Sequence, residues 1–365
     1  MLDAALKDGT AQRECIFEVF GRRLPNERRY GVVAGTERVL DAITKFRFTQ
    51  DQLDSADFLS PQAREYLANY KFSGQIDGYR EGDLYFPYSP IMTVRGTFAE
   101  CVILETVILS ILNSDSAVAS AASRMVSAAD GRPIIEMGSR RTNEQNAVSA
   151  ARATYIAGFN ATSNMEASLR YGIPASGTSA HSWTLLHVDE DGRPDEKAAF
   201  QGQIDSLGVD TTLLVDTFDI TKGVENALAV AGTELGGVRI DSGDLGIVSR
   251  RVRKQLDEAG AFNTRIIVSS DLDDLPSPAC AATRWTASAW APPWSPAPVP
   301  PPQAWCTSWW RWTATRWRSA PPAKSPTAAG KPRSAPTAPP VWPWPRWSSP
   351  SAPRWRTSPT WTTGR

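Results

Sequence analysis

The chain has 365 residues, with 39 Lys+Arg against 39 Asp+Glu and a formal net charge of zero. That zero joins two opposite parts: the 275 residues before Pro276 carry −11, while the remainder, with eleven Lys/Arg and no Asp or Glu, carries +11. The acidic front part gives no sign of nucleic-acid binding and is long enough for one large or two modest domains. Cys15, Cys101, Cys280 and Cys306 have neither metal-site nor disulfide spacing, which fits a reducing, cytoplasmic compartment.

Met1-Leu2-Asp3 opens on a helical pattern without a signal peptide, and so abrupt a start leads us to expect further residues ahead of Met1. Leu2, Ala5 and Leu6 read as a helix, and residues 15–20 alternate like a strand. Residues 35–46 and 61–70 have helical spacing, and residues 73–85, broken by Gly74, Gly78 and Gly82, read as a hairpin. The longest apolar run, residues 102–112, is short for a bilayer and contains Glu105, so a buried helix is expected there, with no membrane association.

From about Ala99 the rhythm becomes helix, strand, polar loop, helix. Short apolar strands are expected at residues 133–137, 155–159, 173–175, 212–215, 237–240 and 265–268, each followed by a polar cluster. Repeated βα units with polar residues at each strand's carboxyl end describe an α/β fold, a parallel barrel whose reactive groups gather on one face. The expected domains are 1–95, a smaller α/β domain; 96–274, the barrel; and 275–365, a disordered tail.

That tail has no Leu, Ile, Phe or Tyr, yet holds thirteen of the fourteen Trp and most of the prolines. Trp has the single codon TGG, which arises out of register wherever a codon ending in TG precedes one starting with G. A shifted frame of an aliphatic-rich gene therefore yields a Trp-rich product. Residues 285–296 unshift to Val-Asp-Gly-Phe-Gly-Val-Gly-Thr-Ser-Leu-Val-Thr-Gly. Residues 304–314 unshift in the same frame to Gly-Met-Val-Tyr-Lys-Leu-Val-Glu-Val-Asp-Gly. A frameshift is the expectation; the competing reading is a genuine Pro/Trp/Arg-rich tail that stacks on single-stranded nucleic acid.

Two histidines are present, His181 and His187. His181 lies in GTSAHSW among small residues that leave its imidazole open, whereas His187 in LLHV reads as structural. Arg239 to Gly246, RIDSGDLG, sets an arginine, Asp241, Ser242, Gly243 and Asp244 around a strand end. It reads either as a charged turn whose Asp caps the next helix or as an anion clamp built on the Arg239 fork. Arg140 and Arg141 in GSRR pose the same choice, and Asp216 and Asp219 could hold a metal or cap a helix.

The runs EMGSRRTNEQNAVSAARATYIAGFNATSN, GTSAHSWTLLH, DTFDI and RIDSGDLG together resemble nicotinate phosphoribosyltransferase, over about residues 1–274. The resemblance implies an irregular α/β barrel packed on an α/β domain, working as a homodimer with Mg²⁺. It also implies that nicotinate reacts with phosphoribosyl pyrophosphate to give nicotinate mononucleotide and pyrophosphate, coupled to ATP hydrolysis. His181 matches the transiently phosphorylated histidine; Thr178 and Arg239 match positions that hold nicotinate, and Arg140 one near the base and phosphate. Asp216 and Asp241 match carboxylates beside substrate and ribose, with Ser242 and Gly243 in the same binding turn. Asn164 stands where nicotinamide-using relatives carry Asp, so a nicotinamide or quinolinate substrate is the less favoured alternative. The family's phosphate-cradling loop corresponds to the unshifted Gly-Phe-Gly-Val-Gly-Thr-Ser, here replaced by Ala-Ser-Ala-Trp-Ala-Pro-Pro. A poorly folded or inactive product is therefore expected.

Overall fold

The computed structural model describes residues 1–25, 28–269 and 287–290. The N-terminal part runs α1 (Leu2–Asp8), β1 (Glu14–Phe20), β2 (Gly31–Val32), α2 (Thr36–Lys45), α3 (Gln50–Asp54), α4 (Pro61–Ala68), β3 (Gln75–Gly78), β4 (Leu84–Tyr85) and β5 (Pro90–Thr97). β5 is the centre of an antiparallel sheet ordered β1-β5-β3, with Cys15 opposite Gly96 and Ile76 opposite Val94. Residues 73–85 do not form the expected hairpin: β3 pairs with β5, whereas β4 pairs with β2. The glycines there punctuate two separate strands, and a cross-chain partner outcompetes the local turn.

The long helix α5 (Phe98–Ala129) follows directly, started by a capping box in which Thr97 and Glu100 satisfy each other's backbone N–H groups. Leu104, Ile108 and Leu112 pack with Cys15, Val19 and Val94 of the sheet. By length and composition α5 could cross a bilayer. Its polar groups instead tie it into the domain: Val32 N–H donates to Ser120 Oγ at 2.8 Å, Ala34 N–H donates to Ser116 Oγ at 3.1 Å, and Asp115 pairs with Arg38 at 2.6 Å.

The second half alternates β6 (Ile134–Glu136), α6 (Glu144–Ile156), β7 (Ala161–Thr162), α7 (Met165–Tyr171), α8 (His181–Leu186), α9 (Glu196–Leu207), β8 (Thr212–Leu214), α10 (Ile220–Ala231), β9 (Gly237–Ile240), α11 (Leu245–Glu258), β10 (Arg265–Ser269) and β11 (Ala287–Trp290). The six strands form one parallel sheet ordered β7-β6-β11-β10-β9-β8. Leu213, Val238, Ile240, Ile266 and Val268 bury its core against Phe200, Val224 and Val252 of the covering helices. This is the α/β class expected.

Three expectations need correction. Residues 155–159 are not a strand, because α6 continues through Ile156. Its buried Ala147, Ala150, Ala151 and Ala153 favour helix, and Gly158 at φ 112° then turns the chain into β7. Residues 173–175 contribute only an isolated parallel bridge, Ala175 to Thr162. Within the expected disordered tail, Ala287–Trp290 forms β11, paired through its backbone with β10 and β6. A vacant slot between two parallel strands presents unpaired N–H and C=O groups, which a short extended segment satisfies whatever its side chains. The rest of 275–365, apart from those four residues, lies outside the described residues.

Candidate active site

The carboxyl ends of the parallel strands carry the polar residues singled out in the sequence. Arg239 lies on β9, and Asp241 and Ser242 follow it directly; Asp216 and Thr217 follow β8, and Thr178 and His181 lie in the stretch after β7. The centre of the arrangement is Arg239, whose side chain is 13% exposed. Its Nε donates to Ser269 Oγ at 2.7 Å, Nη1 to Thr178 Oγ1 at 2.7 Å and Nη2 to Asp241 Oδ1 at 2.9 Å. Ser269, the last residue of β10, also donates to Asp241 Oδ1. A guanidinium has five N–H donors; three are engaged among the described residues, which leaves two for a bound anion.

Burial alone would raise the Asp241 pKa, but the Ser269 hydrogen bond and the Arg239 charge outweigh it and hold the carboxyl below its ordinary value. Asp216 accepts at Oδ2 from the Asp241 N–H at 2.8 Å and from Ser242 Oγ at 2.6 Å. Its Oδ1 is buried and has no partner among the described residues. Gly243, at φ 84°, lets the chain reverse after Ser242, a conformation that strains residues with a Cβ.

His181 opens α8, with Nδ1 3.2 Å from Thr217 Oγ1 and Nε2 3.7 Å from Asp241 Oδ2. β7 and β8 stand at opposite ends of the strand order, so this contact brings together the stretches that follow the two end strands. The sheet therefore curls about the site. His187 keeps its structural reading, with Nδ1 2.8 Å from Trp183 O and its ring edge-on to Trp183.

Asn164 and Arg140 occupy a neighbouring part of the same face. Asn164 caps α7, accepting from Ala167 N–H at 2.9 Å, and donates through Nδ2 to Ser139 Oγ at 3.0 Å. Arg140 is exposed on the single 3-10 turn Ser139–Arg141 after β6. Asp219 and Asp244 cap α10 and α11, accepting from Lys222 N–H and Ile247 N–H, so the capping reading holds for both.

Thr178, Asp216, Arg239, Asp241 and Ser242 thus share one hydrogen-bonded cluster, with His181 beside it 3.7 Å from Asp241, whereas Arg140 and Asn164 belong to the adjoining turn. Sequence reasoning missed Thr217, Ser269 and Glu136. The hydroxyls lay in polar clusters after apolar strands, but nothing in their spacing distinguished them. Glu136 carried a usable signal: an acid inside the apolar run Ile134-Ile135-Glu136-Met137.

An arginine, paired carboxylates and an imidazole gather at the carboxyl ends of the parallel strands, the face on which parallel α/β folds carry their reactive groups. Residues 1–113 match the nicotinate phosphoribosyltransferase N-terminal domain and residues 133–271 the nicotinate phosphoribosyltransferase family. The chain belongs to that family. It is 61% identical over 278 residues to the pncB1 nicotinate phosphoribosyltransferase of Mycobacterium tuberculosis, covering 75% of this chain and 62% of that protein. To the Bacillus subtilis nicotinate phosphoribosyltransferase it is 38% identical over 290 residues, 75% of this chain and 56% of the relative. The chain thus spans about three-fifths of the length of these curated relatives. The crystal structure of human nicotinic acid phosphoribosyltransferase shares the fold, with a TM-score of 0.71 at 23% identity over 89% of this chain and 74% of that one.

Proposed function

We propose that this site transfers a phosphoribosyl group from phosphoribosyl pyrophosphate to nicotinate, giving nicotinate mononucleotide and pyrophosphate in the salvage of NAD, with ATP hydrolysis coupled to transfer. The observation that carries the reading is Arg239, oriented by Thr178, Ser269 and Asp241, with three of its five N–H donors engaged among the described residues. A planar fork held in this way suits the carboxylate of nicotinate. Asn164 supplies a neutral amide beside that position, which does not repel an anion. Arg140, on its exposed turn, answers the phosphate.

In the transfer, the nicotinate ring nitrogen forms a bond to the anomeric carbon as the bond to pyrophosphate breaks. Positive charge develops on the ribosyl centre, and Asp241, kept ionised by its partners, stabilises it together with Asp216. For the ATP step, the tautomer of His181 with its proton on Nδ1 would donate to Thr217 Oγ1 and present the Nε2 lone pair. Nε2 bonds to the γ-phosphorus, the bond to the β-γ bridging oxygen breaks, and ADP leaves.

Among the described residues no group of three or more His, Cys, Asp or Glu is arranged to hold a metal ion. A Mg²⁺ ion held mainly by pyrophosphate oxygens and one carboxylate fits the donor set, with Asp216 Oδ1 as the buried oxygen free to take part. Such an ion would neutralise the leaving group's charge. A homodimer is the assembly proposed by family, and light scattering would test it.

The test is an assay of the full chain, and of a version restored to the unshifted frame, with nicotinate, phosphoribosyl pyrophosphate, Mg²⁺ and ATP. Nicotinate mononucleotide formation stimulated by ATP is expected from the restored chain; equal or better turnover of nicotinamide would overturn the substrate. We further propose that the chain as it stands, with Ala-Ser-Ala-Trp-Ala-Pro-Pro in place of a glycine-rich loop, turns over little or none. Prolines there remove backbone donors that would meet a phosphate.

A further inference from the structure

Glu136 ends β6 with its side chain inside the protein, 2% exposed. Both carboxylate oxygens are used: Oε1 accepts from the Gly138 N–H, and Oε2 accepts from Thr162 Oγ1 at 2.6 Å. No cation is among the causes acting on its titration. Burial, opposed by the Thr162 and Gly138 bonds, pushes its pKa up. A carboxylate buried on these terms costs stability, so its position calls for a reason beyond packing.

The two hydrogen bonds lead in two directions. Gly138 begins the turn that presents Arg140, closed by the Arg141 N–H donating to Gly138 O at 2.8 Å. Thr162 ends β7, and its Oγ1 also accepts from the Asn164 N–H at 3.0 Å, just where Asn164 turns its amide toward Ser139. The main chain repeats the link, since Ser163 N–H donates to Glu136 O at 2.8 Å. One carboxylate therefore fixes the exit of β6 to the exit of β7, and with them Arg140 and Asn164.

We propose that Glu136 is a positioning residue: it holds the Gly138–Arg141 turn against the β7 exit, so that Arg140 and Asn164 together form the wall of the site facing the base and phosphate. It touches no ligand itself and acts through Gly138 and Thr162. The proposal deepens the functional reading above and rests on it for what the wall binds. Glutamine keeps only one acceptor oxygen: if it serves the Gly138 N–H, the NH₂ can at best donate to Thr162 Oγ1, which reverses that bond and leaves the Thr162 hydroxyl proton without its acceptor.

The test uses the full chain and two readouts. Amide hydrogen exchange over residues 137–142 reports on the turn, and calorimetric titration with nicotinate mononucleotide reports on the wall. Glu136→Gln and Thr162→Val should each raise exchange in that peptide about tenfold, leave β8 to β10 protected, and weaken nicotinate mononucleotide about tenfold. Thr162→Ser, which keeps the hydroxyl, should behave as the parent. The double variant should be no worse than either single one, because both break one linkage. Unchanged exchange in Glu136→Gln, or a double variant whose effects add, would overturn the proposal, as would loss of protection throughout the sheet. Should Glu136→Gln fail to fold, Thr162→Val and Thr162→Ser decide the same question. If the parent and frame-restored chains bind no nicotinate mononucleotide, the functional reading fails, and the exchange data still decide whether Glu136 holds the turn.

Discussion

His181 and Thr217 follow strands at opposite ends of the parallel sheet, yet their Nδ1 and Oγ1 atoms lie 3.2 Å apart. The contact sets the imidazole so that Nε2 faces the centre of the site, 3.7 Å from Asp241 Oδ2. Thr217→Val keeps the volume but removes the acceptor. In the frame-restored chain, phosphoryl transfer from ATP is expected to slow about tenfold, the effect of one lost hydrogen bond. His181→Asn should abolish ³²P incorporation, and labelling that persists would place the phosphoryl acceptor elsewhere.

Arg239→Lys retains the charge but cannot span Ser269, Thr178 and Asp241 at once. Nicotinate affinity should fall at least about tenfold, with a smaller change for nicotinamide, which lacks the carboxylate. Calorimetric titration of both pyridines gives the comparison. Equal losses for the two would mean that the guanidinium does not read the carboxylate.

Glu196 is buried, with Oε2 accepting from Asn226 Nδ2 at 3.0 Å and Oε1 without a partner among the described residues. Burial first, then the charges of Asp219 and Asp216, raise its pKa against the Asn226 bond. A raised carboxyl pKa means that the folded state binds the proton more tightly. The resulting stability is present below the unfolded value, near about 4.3, and is lost as pH rises through the folded value. Glu196→Gln should therefore gain on the parent as pH rises above the unfolded value and through the folded one, in denaturant titrations. A difference that does not vary with pH would show that another group titrates.

Gly223 in α10 lies against β8 so closely that a Cβ there would stand 2.2 Å from Val215 O. Val215 is the residue before Asp216. Gly223→Ala must push the helix off the strand and should cost about 1–3 kcal/mol. A thermal or denaturant midpoint equal to the parent's would show that α10 can move without cost.

Much of the parallel half is legible in the sequence, because apolar runs such as Thr212–Leu214 and Gly237–Ile240 stop abruptly at Asp216 and Asp241. Arg239, Asp241, Thr178 and His181 lie in compact motifs, and the chain brings them together across 61 positions between Thr178 and Arg239. Less legible are partnerships that depend on register. β4 joins β2 instead of closing a hairpin, and Glu136 meets Thr162 from 26 positions away. Helix α6 outruns its expected end because alanine-rich sequence fits a buried helix as readily as a short strand. The family match ends at residue 271, shortly before the compositional break at Pro276. Within that altered stretch β11 is not legible, since Ala-Ser-Ala-Trp carries no strand-like alternation or aliphatic run.

Because the stretches after β7 and β8 meet, the bonds placed among the candidate catalytic residues also tie the two ends of the sheet together. His181 to Thr217 and Arg239 to Thr178 each join segments that the strand order holds far apart. Loosening either one should let the stretches after the two end strands move apart. Substrate bound among these residues would in turn tighten the tie. Ligand-induced protection from exchange would then extend to the stretches after β7 and β8 alike, including residues there that touch no ligand.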